Sequence, residues 1–183
     1  AEDWAIKSYD DIVSSKGDEI FKPTYLEVSF GNTCNMKCTY CGPEFSSKWV
    51  EELKQHGPLK ITDGKGKEQW AQGWQDLDNL VIPNKDYNPY IDAFWKWFPE
   101  IYPTLKVFRI TGGEPLLNKN TIKALDYIID NPKEDLEISI NSNLSIPDKL
   151  WDDFILKLIK LEKSGKFKQI TIFTSVEGWG EKA

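Results

Sequence analysis

No run of this chain approaches the ~20 consecutive apolar residues that cross a bilayer. The first twenty residues, AEDWAIKSYDDIVSSKGDEI, also lack the apolar stretch of a secretory signal. The reading is a soluble, cytoplasmic protein with no membrane partner. Positive charge is in short supply as well: 23 Lys and Arg face 29 Asp and Glu, a formal net charge of −6. Nucleic-acid binding rests on clustered cations, so this balance argues against nucleic acid as the main partner. Lys60, Lys65 and Lys67 read as a solvated loop. The chain has no initiating Met, and its N-terminus reads as processed, trimmed or fragmentary. Cysteine occurs only three times, an odd number that cannot pair off entirely in disulfides. Reduced, clustered thiols fit a reducing compartment. What the sequence does have is bulk: 183 residues, 40% hydrophobic and 13% aromatic, suit one domain with a substantial core.

All three cysteines fall in the window Cys34-Asn35-Met36-Lys37-Cys38-Thr39-Tyr40-Cys41, a C-x-x-x-C-x-x-C spacing with an aromatic before the last Cys. Three soft sulfur ligands on one tight loop suit an iron–sulfur cluster or zinc. Three is also one short of a closed structural site, which leaves one metal open to bind and activate something else. A zinc reading would enlist His56, the one histidine, as the fourth ligand. The helix expected between Cys41 and His56 would then have to turn back on itself.

Four short runs read as buried strands: Tyr25 to Phe30, Lys106 to Thr111, Leu136 to Asn141 and Gln169 to Thr174. Helical segments lie between them, at Glu44 to Gln55, Pro89 to about Phe98, Lys119 to Asp130 and Pro147 to Lys163. In the last, Leu150, Phe154, Leu158 and Leu161 recur at helical spacing and call for a sheet beneath them. The alternation βαβαβαβ implies an α/β fold with a parallel sheet, a barrel or an open layer. Residues 1–23 read as an N-terminal extension and 24–183 as the core. Seventy residues separate Cys41 from Gly112, and within them 57–88 is a polar, Gly/Pro-punctuated insertion. Loops beyond ~12–15 residues are commonly functional. Trp70 and Trp74 in the insertion, with Trp49, Trp95 and Trp97 on the adjoining helices, either pack it onto the core or line a lid over a substrate.

Sites in parallel α/β proteins lie at the carboxyl ends of the strands. Four polar clusters occupy such positions here. The cysteine loop follows the first strand, Thr111-Gly112-Gly113-Glu114-Pro115 the second, Asn141-Ser142-Asn143 the third, and Ser175-Val176-Glu177-Gly178 the fourth. Gly112 and Gly113 have no side chains, so the backbone there can bring its carbonyls to a ligand's ammonium group. Glu114 can add a carboxylate, and Pro115 fixes the exit of the turn.

With C-x-x-x-C-x-aromatic-C after the first strand and G-G-E-P after the second, the chain resembles the radical SAM superfamily from about Tyr25 to Gly178. The resemblance implies a partial (β/α) TIM-like barrel, about the first four strands of the core. It implies that Cys34, Cys38 and Cys41 bind three irons of a [4Fe–4S] cluster. The fourth iron would take the amino and carboxylate groups of S-adenosylmethionine, whose reductive cleavage gives a 5′-deoxyadenosyl radical that abstracts hydrogen from substrate. Tyr40 then lies beside the adenine, Gly112 to Pro115 at the ammonium, Ser175 at the cofactor's polar end, and Asn141 or Asn143 at the ribose. Serine and asparagine at such positions, Ser142, Asn143 and Ser145 among them, also serve simply as helix caps.

The arrangement looks nearest the branch that carries a short C-terminal auxiliary-cluster domain (twitch or SPASM-like) and modifies peptides or proteins. An external electron donor such as flavodoxin or ferredoxin is implied, and the substrate is a peptide, a protein or a small molecule. A cluster-bearing electron-transfer module without turnover, and the Cys3His zinc module, are the alternatives. The apolar run Gln169 to Thr174 near the chain's end reads as an unpartnered edge strand. On that ground a truncated product, unfit for turnover of its natural substrate, is expected.

Overall fold

The computed structural model describes residues 3–15, 17, 21–57, 60–62, 64–66, 68–70, 77, 82–83 and 86–175. In chain order the elements are α1 (Asp3–Ser14), β1 (Tyr25–Ser29), α2 (Ser47–His56), β2 (Lys60–Thr62), β3 (Glu68–Trp70), α3 (Pro89–Ile101), β4 (Val107–Thr111), α4 (Lys119–Asp130), β5 (Lys133–Ser142), α5 (Asp148–Ser164) and β6 (Phe167–Thr174). Short 3₁₀ turns cover Tyr102–Thr104 and Pro115–Leu117.

Four strands form one parallel sheet in the order β1-β4-β5-β6. Spatial order follows chain order, so each crossover steps the same way. Doubly wound open sheets reverse direction instead, and stepping without reversal is the habit of a (β/α) barrel. The expected α/β class and partial-barrel fold are what the sheet shows. No helix among the described residues is long and apolar enough to cross a membrane.

The strands are not apolar on both sides. Register aligns Leu26, Phe108, Ile138 and Ile170 in one row and Val28, Ile110, Ile140 and Ile172 in another. These aliphatic rows meet Phe98 and Ile101 of α3, Ala124, Leu125 and Ile128 of α4, and Phe154 and Leu161 of α5. The row between them is Glu27, Arg109, Ser139 and Thr171, polar throughout. Side chains alternate faces along a strand, so the helices cover one face and the other is a polar inner face.

Local chemistry explains the boundaries. Asn88 caps α3 by accepting from Tyr90 N at 3.0 Å, and Pro89 takes the first helical position. The helix was expected to stop before Pro99, yet it runs to Ile101. Burial of Phe98, Ile101, Tyr102 and Leu105 outweighs the hydrogen bond that Pro99 cannot donate. Asn118 caps α4 through Asn120 N at 2.9 Å. Gly165, at φ 59, closes α5 in the left-handed conformation. On α5 the buried Lys157 shares a face with Phe154 and Leu161, and its ammonium reaches Asp126 of α4 at 2.5 Å, locking two neighbouring helices together.

Three elements went unread in the sequence. Helix α1 lies within the expected extension, with Ile6, Tyr9, Ile12 and Val13 exposed. Strands β2 and β3 pair antiparallel within the insertion. Trp74 and Glu177 lie outside the described residues, as does the side chain of Trp70.

Phe98 is fully buried, with ring centroids of Phe94, Trp95, Tyr102, Phe108 and Tyr127 at 5.0–5.9 Å. Phe98→Ala is expected to cost about 3–5 kcal/mol in urea unfolding. Trp97→Ala, one residue away and 42% exposed, should cost under about 1 kcal/mol.

Candidate functional site

The cysteine loop is held by the start of α2 and by the loop's own backbone. Ser47 Oγ accepts from Cys34 N at 3.1 Å and donates to Cys34 O at 3.2 Å. Ser46 Oγ donates to Met36 O at 2.6 Å, and Trp49 Nε1 donates to Cys38 O at 3.0 Å. The buried Asn32 side chain donates to Pro43 O at 2.9 Å, and its own carbonyl accepts Ser47 N at 2.7 Å. Each bond fixes backbone, so the thiols are aimed before any ligand arrives. All three cysteines are reduced thiols and half-buried.

The Gly-Gly turn packs directly on this loop. Gly113 N donates to Gly31 O at 3.2 Å and Glu114 N to Thr33 O at 2.7 Å. A Cβ on Gly113 would stand 2.7 Å from Asn32 O and closer still to Thr33 O. Gly112 sits at φ 117, and a Cβ there would lie 2.6 Å from Ser29 Oγ. The glycines were expected to let backbone approach a ligand; their first service is to let two strand-end loops approach each other.

Glu114 departs from expectation. Its carboxylate is 1% exposed and does not line the cavity beside the thiols. Oε1 accepts Ser142 Oγ at 2.7 Å and Leu116 N at 3.0 Å, and Oε2 accepts Asn143 N at 2.7 Å. A carboxylate so engaged clamps the end of β4 to the end of β5 rather than facing a ligand's ammonium. Pro115 is buried behind it and opens the 3₁₀ turn.

Asn143 is also engaged by its neighbours. Its Oδ1 accepts Ser145 N at 2.8 Å, and its Nδ2 donates to Asn35 Oδ1 at 3.0 Å and approaches Cys34 Sγ at 3.9 Å. It braces the first cysteine from the rim of the same cavity.

A cavity of about 290 Å³ collects Cys34, Cys38, Cys41, Tyr40, Gly112, Gly113, Asn141, Asn143 and Ser175 on one rim, together with Glu27 and Thr111. Tyr40 is 72% exposed there. Asn141 Oδ1 accepts Arg109 Nε at 3.1 Å. Below the rim Arg109 lies 3.8 Å from Glu27 and over the Phe173 ring at 5.0 Å. Glu27 accepts Tyr25 Oη at 2.9 Å and Thr111 Oγ1 at 3.2 Å. Burial and the nearby Glu27 carboxylate raise the Tyr25 phenol above its ordinary pKa. Sequence reading passed over Glu27, Arg109, Ser46 and Ser47, and it read Trp49 as a packing or lid residue rather than as a prop of the cysteine loop. The first two were findable, because they alternate with the aliphatic positions of their strands.

The donor set suits an iron–sulfur cluster better than zinc. Among the described residues no three His, Cys, Asp or Glu side chains converge as one ion requires. A single zinc needs every ligand at about 2.0–2.3 Å, whereas a cluster spreads its thiolates over separate irons. His56 ends α2, the helix whose first residue holds Cys34. At 1.5 Å per residue it stands about 13 Å along the axis from that end. Trp95, meanwhile, stacks on Phe30 and donates to Asn120 Oδ1 at 3.0 Å, which places it in the core.

A family model described as the radical SAM superfamily matches residues 28–182, and the chain belongs to that superfamily. Similar curated proteins are GTP 3′,8-cyclases. That of Aliarcobacter butzleri (strain RM4018) is 27% identical over 122 residues, covering 67% of this chain and 28% of its own length. That of Sulfurimonas denitrificans (strain ATCC 33889 / DSM 1251) is 28% identical over 156 residues, 84% of this chain and 36% of its own. In Sulfurovum sp. (strain NBC37-1) the match is 34% over 80 residues, 37% of this chain and 24% of its own. The chain therefore spans roughly a quarter to a third of the relatives it matches. No solved structure matches it significantly.

Removing the Glu114 clamp leaves three donors without their acceptor. Glu114→Ala is expected to lower stability by about 3 kcal/mol or more in urea unfolding. It should also speed modification of the cysteines by a thiol reagent, because the loops they ride on are no longer tied. Unchanged stability and thiol reactivity would remove the clamp from the account.

Proposed function

We propose that this chain carries the radical-initiating part of a radical SAM enzyme, with Cys34, Cys38 and Cys41 holding a [4Fe–4S] cluster. The observation that carries this is one cavity lined by three half-buried thiols, the Gly112-Gly113 turn, Asn141 and Ser175. When bound, the cluster and S-adenosylmethionine supply an electron and a carbon-centred radical able to take hydrogen from a substrate. Every other part is done by side chains and backbone. The carbonyls of Gly112 and Gly113 accept the ammonium, and the Tyr40 ring flanks the adenine. Asn141 spends Oδ1 on Arg109, while its Nδ2 makes no hydrogen bond to another described residue and offers itself to a ribose hydroxyl. Ser175, whose amide pairs with Ser142 O at 3.1 Å, presents its hydroxyl to the polar end. Residues 24–183 then form part of the core, 1–23 an extension and 57–88 an insertion. An electron donor of the flavodoxin or ferredoxin kind completes the system in the cytoplasm.

For the substrate, the inner face beside the thiols offers a carboxylate, a guanidinium and hydroxyls, which suits a small polar molecule. A peptide or protein substrate has no support in the relatives, whose names specify GTP. GTP is therefore the first substrate to try.

Anaerobic reconstitution is expected to yield about four iron and four sulfide per chain, and Cys38→Ala should abolish it. Adding S-adenosylmethionine should change the reduced cluster's EPR signal, and Tyr40→Ala should weaken that response while sparing the iron. Full cluster occupancy in Cys38→Ala would defeat the assignment.

A further inference from the structure

We infer that Asn143 is a positioning residue that sets the reduction potential of the cluster by donating a hydrogen bond to the Cys34 thiolate. The inference rests on the radical SAM reading of Cys34, Cys38 and Cys41.

The argument starts from the orientation of one amide. An Asn side chain can flip, exchanging acceptor and donor, unless its partners forbid it. Here they do. Oδ1 is pinned by Ser145 N at 2.8 Å, a group that can only donate. Nδ2 is therefore turned the other way, and one of its two hydrogens goes to Asn35 Oδ1 at 3.0 Å. Asn35 is itself oriented, since its Nδ2 donates to Ser145 O. The second hydrogen of Asn143 Nδ2 is left for Cys34 Sγ, 3.9 Å away. The backbone beneath is equally fixed, because Asn143 N donates to the buried carboxylate of Glu114 at 2.7 Å. The end of β5 thus delivers a donor to a ligand sulfur that lies 109 residues earlier in the chain.

A donor at a cluster-ligating sulfur stabilises the more negative, reduced state, and hydrogen bonds to sulfur are among the levers that set cluster potential. Cys34 also receives Met36 N at 3.5 Å from its own loop. The Asn143 contact differs in coming from another strand end, the one tied through Glu114 to the Gly-Gly turn. Whatever displaces that turn displaces the donor. This arrangement ties the potential of the metal group to the turn where the cofactor's ammonium is received.

The test is an EPR-monitored redox titration of the reconstituted chain, comparing wild type with Asn143→Ala and Asn143→Asp. Asn143→Ala removes the donor, and its midpoint is expected to move to more negative potential, up to about tenfold in the reduction equilibrium, or about 59 mV for a one-electron couple. Asn143→Asp keeps the acceptor for Ser145 N and puts negative charge beside the sulfur, so it should shift at least as far in the same direction. Iron content and far-UV circular dichroism report on folding separately, and Asn143→Asp serves if Asn143→Ala loses its cluster. Cluster-loaded variants with the wild-type midpoint would overturn the role of Asn143 while leaving the radical SAM reading intact. A wild-type chain that takes up no [4Fe–4S] cluster would overturn both.

Discussion

A carboxylate that is 1% exposed survives only if its oxygens are fully engaged, and the rim of this barrel is organised around meeting that demand for Glu114. Ser142 Oγ, Asn143 N and Leu116 N converge on it from three positions. Two of these belong to the end of β5 and the third to the turn after β4. Since hydrogen bonds to a charged group contribute about 1.5–3 kcal/mol each, the clamp is strong enough to fix the relative height of two strand ends. The Gly-Gly turn can then lie on the cysteine loop without a gap, and the bracing of Cys34 by Asn143 follows. Removing the charge would leave the topology in place and loosen the site.

The second organising constraint is that, among the described residues, helices cover only one face of the sheet. Aliphatic rows through Leu26 and Val28 supply the core, while the intervening row places Glu27 beside Arg109. A guanidinium on a partly covered surface is held in place by a carboxylate, an amide oxygen and an aromatic face. TIM-barrel interiors are commonly filled by branched aliphatic layers. A polar interior next to a cavity of thiols is instead a surface prepared for a ligand.

Much of this was legible beforehand, for identifiable reasons. Four strands and their parallel order could be read because β-branched runs alternated with helical periodicity. The rim could be read because ligands in such folds gather at strand ends, and the cysteine spacing fixed which strand mattered. What escaped depended on three-dimensional choices. The alternation of Glu27 and Arg109 with aliphatic neighbours was present in the sequence, but short apolar runs look buried on both sides until one side is left without helices. Glu114 was read as facing a ligand because nothing in G-G-E-P says which way its side chain turns; Ser142 and Asn143, 28 and 29 residues later, decide that. The β2–β3 pairing was lost among polar residues, where three-residue strands leave no periodicity to detect.

Charge on the inner face bears on what the site can accept. A nucleoside triphosphate carries several negative charges, and proteins that hold one surround it with cations, backbone amides and metal ions. The described inner face supplies one guanidinium, and Glu27 stands 3.8 Å from it. The pair is nearly neutral to an approaching ligand, while the chain as a whole is acidic at −6. Such a surface can orient the hydrogen-bonding edge of a base or a small zwitterion, because a fixed donor lies beside a fixed acceptor. It cannot by itself neutralise a polyphosphate. If GTP is the substrate, as the relatives' names invite one to test, its base or sugar belongs against this sheet, and the cations for its phosphates must come from another surface.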